Sequence, residues 1–342
     1  MYGWSEDSTA DSDAPSSEGF DFKSAREAYA GDSAAAPAKT GRSSRRSKAV
    51  TVRSRAVDFE SRVGKTEAPV GKNISTDSTH PIGIAIDETG SMSDTPGIIF
   101  EKLPLLGDEV KRYAPNYSIS FTAFGDAHCD NYPLQVRDFG SGSELDAHSV
   151  ALYPEGDGGD APESHNLVAY YYVYHCEIPK AVKPLFFFIT DVRSHGVLKA
   201  KAVKKYTGDE IQSDLDSNAL FKKLGEKFKV YVLLRGYSKG SSETKYWEDI
   251  FGAQQVKNLG EPRDVVELII GIIANEMGEL KDFTMRSSRR HEDKPERVER
   301  VIKSIKSGGP IAPDPSDSAK KSGGAGGPGS KKMKSRKLTE DS

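Results

Sequence analysis

The sequence predicts an α/β domain: a mostly parallel central sheet with helices on both faces. Three observations carry this expectation. Between about Pro81 and Phe283, short apolar runs alternate with stretches of helical spacing, the pattern of strands joined by crossover helices. Two of the runs, Leu185–Thr190 and Lys229–Arg235, are apolar almost without alternation, as in strands covered on both faces. Each of several runs ends in a Gly, Asp, Ser or Thr cluster, the composition of a loop.

In chain order, Ile82–Ile86 reads as the first strand of this block. Ile98–Tyr113 is a helix, with Ile98, Ile99, Leu103, Leu106, Val110 and Tyr113 at helical spacing. Tyr117–Phe124 (YSISFTAF) alternates as a strand, and Leu134–Phe139 is a further strand candidate. Glu163–Ile178 is a helix in which Tyr170, Tyr171, Tyr172 and Tyr174 crowd too closely for one face, so some pack inside and some face water. Leu185–Thr190, the Leu215–Phe228 helix and Lys229–Arg235 follow. A short helix over Thr244–Phe251 and an edge strand over Gln255–Leu259 lead to an apolar helix, Arg263–Met277, which Pro262 opens.

The flanks differ in composition. The 342-residue chain is only 36% apolar, low for a compact domain, and the deficit lies at the two ends. Residues 1–32 are acidic and Ser/Ala-rich, and residues 39–55 turn basic. Pro310–Ser342 is Gly/Ser/Pro-rich with lysines. Such segments bury too little apolar area to offset chain entropy. The expected organisation is therefore a disordered segment over 1–75, a folded domain over 78–283, and over 284–342 a charged helix beginning near Pro295 followed by a disordered tail.

Composition also excludes several function classes. A net charge of -3 sets up no global field toward nucleic acid, and the basic run at 39–55 has no interleaved aromatic residues on which bases stack. Two cysteines, Cys129 and Cys176, make no disulfide framework. The N-terminus has no basic and apolar signal pattern, and the longest apolar stretches are too short to cross a bilayer. The chain reads as soluble and cytoplasmic with reduced thiols, bound to no membrane.

The chemistry concentrates at expected strand ends, where ligands bind in parallel sheets. Asp87-Glu-Thr-Gly-Ser-Met-Ser directly follows the first apolar strand. Asp87, Thr89 and Ser91 alternate, so an extended-to-turn segment can present one carboxylate and two hydroxyls on one side. That hard-oxygen set suits Mg²⁺, Mn²⁺ or Ca²⁺. Phe186-Phe-Phe-Ile-Thr-Asp191 places a second carboxylate at the end of a dry strand, an unfavourable setting unless something pairs it. The loop Gly156-Asp-Gly-Gly-Asp-Ala-Pro-Glu163 precedes a helix; Asp157 or Asp160 can add an oxygen there, directly or through water, and Asp160 can instead cap the helix. Glu88 and Asp94 read as solvated loop charges. Asp126 suits a supporting or rim role, and His195 can line the rim. His128, Cys129 and Asp130 sit together but lack Cys-x-x-Cys or His-x-x-x-His spacing, so zinc has little sequence support. No nucleophile elbow, P-loop or Gly-x-Gly-x-x-Gly motif occurs, and no general base accompanies the metal motif.

On these residues the sequence resembles the von Willebrand factor A family. Asp87-Glu-Thr89-Gly-Ser91 is similar to the family's Asp-x-Ser-x-Ser motif with one hydroxyl exchanged for another, and Ile189-Thr190-Asp191 to its Thr-Asp motif. Gly158-Gly-Asp-Ala-Pro-Glu resembles the Gly-Gly-Asp-x-Pro-Glu loop of many bacterial members, with Asp160 standing nearest the place of the expected Thr. The resemblance spans about residues 80 to 280. It implies a Rossmann-like fold and a metal-ion-dependent adhesion site made by Asp87, Thr89, Ser91, Asp160 and Asp191. It also implies a Mg²⁺ ion (or Mn²⁺ or Ca²⁺) whose open position takes an acidic side chain of a partner protein. A role as adaptor of an AAA+ ATPase or of another multiprotein assembly follows from it, and a binding role rather than an enzymatic one. The alternatives are a structural component of a phage or other large particle, with the fold as scaffold, and a metal-dependent hydrolase.

Overall fold

A computed structural model describes residues 68–92, 95–153 and 162–307. Residues 1–67 and 308–342, most of the two segments expected to be disordered, lie outside the described residues.

The centre is a six-stranded sheet of β2 (His80–Asp87), β3 (Tyr117–Phe124), β4 (Leu134–Val136), β6 (Leu185–Thr190), β9 (Lys229–Arg235) and β10 (Val256–Leu259) in the order β10-β9-β6-β2-β3-β4. Every pairing is parallel except that of β4, which runs antiparallel to β3. Two short pairs lie beside it: β1 (Ile74–Ser75) with β5 (Cys176–Glu177), and β7 (Val197–Leu198) with β8 (Leu215–Asp216).

The period of two along each strand splits the core into two halves. Ile82, Ile84, Ile86, Ile119, Phe121, Phe187, Tyr231 and Leu233 face one side. They pack with α1 (Thr95–Tyr113), α7 (Val265–Glu276), α8 (Leu280–Arg290) and α9 (Pro295–Lys306), which supply Leu106, Val110, Ile269, Ile273, Phe283, Val301 and Ile305. Phe186, Phe188, Val230 and Val232 face the other side, against α3 (His165–Tyr174), α4 (Ala200–Thr207), α5 (Ser217–Lys227) and α6 (Ser242–Phe251). On that side the ring of Phe186 covers Gly83, where a Cβ would stand 2.4 Å from it. Tyr172 meets two of the hydroxyls that β3 buries, with its own oxygen 2.7 Å from Ser120 Oγ and 2.9 Å from Thr122 Oγ1. Tyr170 and Tyr171 are buried as well, and Tyr174 is exposed, the division that the crowding of tyrosines implied.

Some boundaries differ from the sequence reading for visible reasons. The helix expected over Glu163–Ile178 ends at Tyr174, because Cys176 and Glu177 leave it to pair with β1. The apolar helix starts at Val265, after a single 3-10 turn over Pro262–Asp264. Helix α2 (Glu144–Val150), α4 and α8 had no expectation in the sequence; each is short or carries too few apolar residues to show a period. The helix expected near Pro295 is α9, and it packs Val298, Val301 and Ile305 inward.

For function, the decisive feature is the register. Asp87 pairs with Phe124, and Ile86 with Ile189, so the carboxyl ends of β2, β3 and β6 lie level at one edge of the sheet. The loops leaving those three ends meet there.

Candidate metal centre

Asp87 is the last residue of β2 and is fully buried. Its Oδ1 accepts from the backbone N–H of Thr89 at 3.1 Å and from Thr89 Oγ1 at 2.5 Å. Its Oδ2 accepts from Thr190 Oγ1 at 2.8 Å, so the β6 end reaches across to the β2 end. The chain then makes a 3-10 turn over Gly90–Met92, pinned by the buried Met92 side chain and by the Met92 N–H on the Thr89 carbonyl at 3.0 Å. That turn puts Ser91 Oγ 3.2 Å from Thr89 Oγ1 and lets it donate to Asp191 Oδ1 at 2.9 Å. Asp87, Thr89, Ser91 and Asp191 therefore form one continuous string of oxygens, drawn from loops 100 residues apart. Ser91 is exposed and Asp191 half-buried, so the string runs from the dry sheet end to water. Arg235, the last residue of β9, donates to the Ser91 carbonyl at 2.5 Å and adds a positive charge beside this mouth.

Asp160 and Asp157, with Ser93 and Asp94, lie outside the described residues. Glu163, which closes the Gly-rich loop, is described, and the sequence reading gave it no role. Its backbone is clamped to the loop after β6: its N–H donates to the Arg193 carbonyl at 3.2 Å, and its carbonyl accepts from the His195 N–H at 3.1 Å. Its carboxyl is buried, and Oε2 has no hydrogen-bond partner among the described residues. The signal that could have found it is its place, directly after a Gly/Asp loop and just before a helix.

Glu88 corrects an expectation. It is not a solvated loop charge: the residue is 5% exposed, and neither carboxyl oxygen has a partner among the described residues. The cause is the backbone. The Glu88 N–H donates to the Phe124 carbonyl at 3.0 Å and extends the β2–β3 ladder by one residue, which keeps its side chain inside.

The electrostatics follow from this crowding. Burial pushes the Asp87 carboxyl up to about 6; hydrogen bonds from Thr89 and Thr190 oppose the rise, and the Asp191 charge adds to it. Burial pushes Glu163 further, to about 9, helped by Asp87, Asp126, Asp130 and Asp191. Burial and the neighbouring Asp87 drive Glu88 upward as well. Several carboxyl groups thus share a poorly solvated pocket with unmet bonding capacity. A divalent cation suits it on two counts: the donors are hard oxygens, and its charge offsets the repulsion that raises Glu163. Asp87, Thr89, Ser91 and Asp191 are the residues that would hold such an ion, and Glu163 is coupled to Asp87 and Asp191 through their charges.

Asp126, on the loop after β3, is buried and bonded to both His128 and His195. His165 is buried between Phe124, Phe188 and Trp247, and burial pulls it down to about 3, so it stays neutral and serves packing.

No protein-family model matches the chain, and no curated protein matches it. Among solved structures, the pilus adhesin SpaC from Lactobacillus rhamnosus GG is similar at 12% identity, covering 63% of this chain and 32% of its own, with a TM-score of 0.44. The open conformation of that adhesin gives a TM-score of 0.45, again at 12% identity, with 63% of this chain and 31% of the adhesin covered. Proximal thread matrix protein 1 from the mussel byssus is similar at 12% identity, covering 58% of this chain and 49% of its own, with a TM-score of 0.40. The chain thus spans less than half the length of each, and likenesses this distant carry no argument about function.

Proposed function

We propose that this chain is a Rossmann-like von Willebrand factor A domain that holds a divalent cation, Mg²⁺ by cellular availability, and uses it to bind an acidic side chain of a partner protein. The observation that carries this reading is the string Asp87–Thr89–Ser91–Asp191, closed by hydrogen bonds of 2.5, 3.2 and 2.9 Å at the carboxyl edge of the parallel sheet. When bound, such an ion supplies positive charge that attracts an external carboxylate. The chain's own residues set the terms. Asp87 is sealed in and fixed by three hydrogen bonds, so it serves the ion and cannot meet a partner. Ser91 and Asp191 form the accessible side, and because two of the four donors are neutral hydroxyls the protein supplies only two carboxylates, which leaves coordination positions on the ion for an external oxygen. Arg235 reinforces the preference for an anion. The partner class implied by the resemblance is an AAA+ ATPase or another multiprotein assembly. A cytoplasmic setting fits Cys129 and Cys176, both free thiols, and among the described residues no helix is long and apolar enough to cross a membrane.

Calorimetric titration with Mg²⁺ and Mn²⁺ tests the site. One ion per chain is expected, lost in Asp87→Ala and weakened at least about tenfold in Asp191→Ala, since removing a ligand removes a charge-assisted contact. A partner captured with Mg²⁺ should be released by chelator. Wild-type protein that gives no heat with either ion ends the reading.

A further inference from the structure

A second cluster of metal-ligating groups stands on the neighbouring loops, built from different side chains and different chemistry. Asp126 and His128 belong to the loop that leaves β3, and His195 to the loop that leaves β6. Asp126 Oδ1 is 2.8 Å from His128 Nδ1 and 2.8 Å from His195 Nε2, although His195 lies 69 residues further along the chain. The three ligand atoms all lie within 4.8 Å of one another, and the two imidazole rings are 4.3 Å apart at their centroids.

We propose that Asp126, His128 and His195 form a site for a divalent transition metal of borderline softness, of which Zn²⁺ is the type. Two imidazole nitrogens and one carboxylate oxygen are a donor set that such ions prefer and that Mg²⁺ does not. The supporting shell is already in place. Ser164 Oγ donates to Asp126 Oδ1 at 3.2 Å and accepts from the Ala127 N–H at 2.9 Å. The Asp126 N–H donates to Asp130 Oδ2 at 2.6 Å. The His195 main chain is held at both ends, its N–H on the Glu163 carbonyl at 3.1 Å and its carbonyl accepting from Asn166 Nδ2 at 3.2 Å. Groups that orient ligands in this way are the usual surroundings of a metal site. Access is graded: the side chains of Asp126, His195 and His128 are 6%, 21% and 45% exposed, so a buried carboxylate forms the floor and the imidazoles open to water. That leaves a coordination position for water or an external ligand.

The exchange balances in protons. At 2.8 Å from one carboxylate oxygen, each facing ring nitrogen presents an N–H to Asp126. On binding, that nitrogen gives its lone pair to the metal and the ring keeps a single hydrogen on its other nitrogen, so a neutral imidazole changes tautomer with no net release and a protonated one releases a single proton to solvent. A tetrahedral ion with bonds of about 2.0–2.1 Å sets its donors about 3.3 Å apart, so the cluster opens by roughly half an ångström. The exposed His128 is the side free to give way. The opposing possibility is that the imidazoles only staple the two loops through Asp126.

The test uses the untagged full-length chain, stripped by chelator and titrated with Zn²⁺ in saturating Mg²⁺ against a competing zinc indicator. One Zn²⁺ per chain is expected, weakened about 100-fold or more in His128→Ala and in His195→Ala and changed less than about threefold in Asp191→Ala. His128→Ala keeps the variant folded, because the exposed ring leaves while the His128 N–H still binds Asp126 Oδ1 at 3.1 Å. Zinc-edge absorption should show nitrogen and oxygen neighbours only. The proposal fails if no Zn²⁺ is taken up, if both histidine variants bind it as wild type does, or if a sulfur neighbour from Cys129 appears, whose Sγ is 3.6 Å from Asp126 Oδ2. Because the donors are separate, loss of Mg²⁺ heat with zinc binding intact would reject the oxygen site alone, and the converse would reject this one.

Discussion

At the residue scale, one buried carboxyl sets a measurable pH dependence. Glu163 is held protonated up to about 9 in the fold, whereas its ordinary value is 4.5. The folded state therefore binds more protons than the unfolded chain between those values, and stability falls as pH rises. Glu88 acts with the same sign. The window from about pH 6.5 to 8 isolates them. Asp87 changes below it, at about 6. His165 acts between about 3 and its ordinary 6.5, and Lys257, drawn down by burial to about 8, acts above it. In chelator, the melting temperature should fall steadily across that window. Saturating Mg²⁺ should flatten the fall, because the ion favours the ionised carboxyls. Glu163→Gln should raise the melting temperature in chelator at pH 8 and weaken Mg²⁺ binding; a variant that melts like wild type at both ends of the window contradicts the assignment.

At the element scale, β2 positions everything else, and its integrity depends on Gly83. A methyl there meets Phe186 at 2.4 and 2.5 Å, and Phe186 is itself packed against Tyr172, Phe188 and Phe228. The ring has nowhere to retreat, so Gly83→Ala should cost on the order of 1–3 kcal/mol, the usual range for overpacking a dense core. Chemical denaturation reads this directly. A shift of β2 against β6 would also disturb the Thr190 bond to Asp87, so the same variant should bind Mg²⁺ more weakly; unchanged stability would mean that the sheet is looser than its packing implies.

At the scale of the whole molecule, the C-terminal helices close the core instead of trailing from it. Asp264 and Glu267 are buried and take their partners from α9: Arg297 lies 3.0 Å from Asp264 and 2.8 Å from Glu267, and Arg300 2.6 Å from Asp264. Lys257 on β10 donates to the Ile305 and Ser307 carbonyls at 2.8 and 2.6 Å, capping the end of the same helix. A chain cut before Pro295 loses Val298, Val301 and Ile305 from the core, takes Arg297 and Arg300 from buried Asp264 and leaves Glu267 its contact with His291 but not that with Arg297, a change worth several kcal/mol. It should melt well below the full chain or aggregate.

By itself the sequence determined the α/β layering, the main strands and the order of the oxygen donors, because those follow from local period and from residues one apart in a loop. The pattern Asp87-x-Thr89-x-Ser91 needed only an extended-to-turn segment to become a string of oxygens. Tertiary structure alone decided what depends on distant loops meeting. It fixed the contact of Asp191 with Ser91 that the family resemblance implies, brought Thr190 to Asp87 and His195 to Asp126, which nothing in the sequence implied, and buried Glu88 and Glu163. No spacing rule reaches across 69 or 100 residues. Those meetings are fixed by the register of parallel strands, which levels three strand ends at one edge, and burial then turns ordinary carboxyl groups into ones that resist ionising.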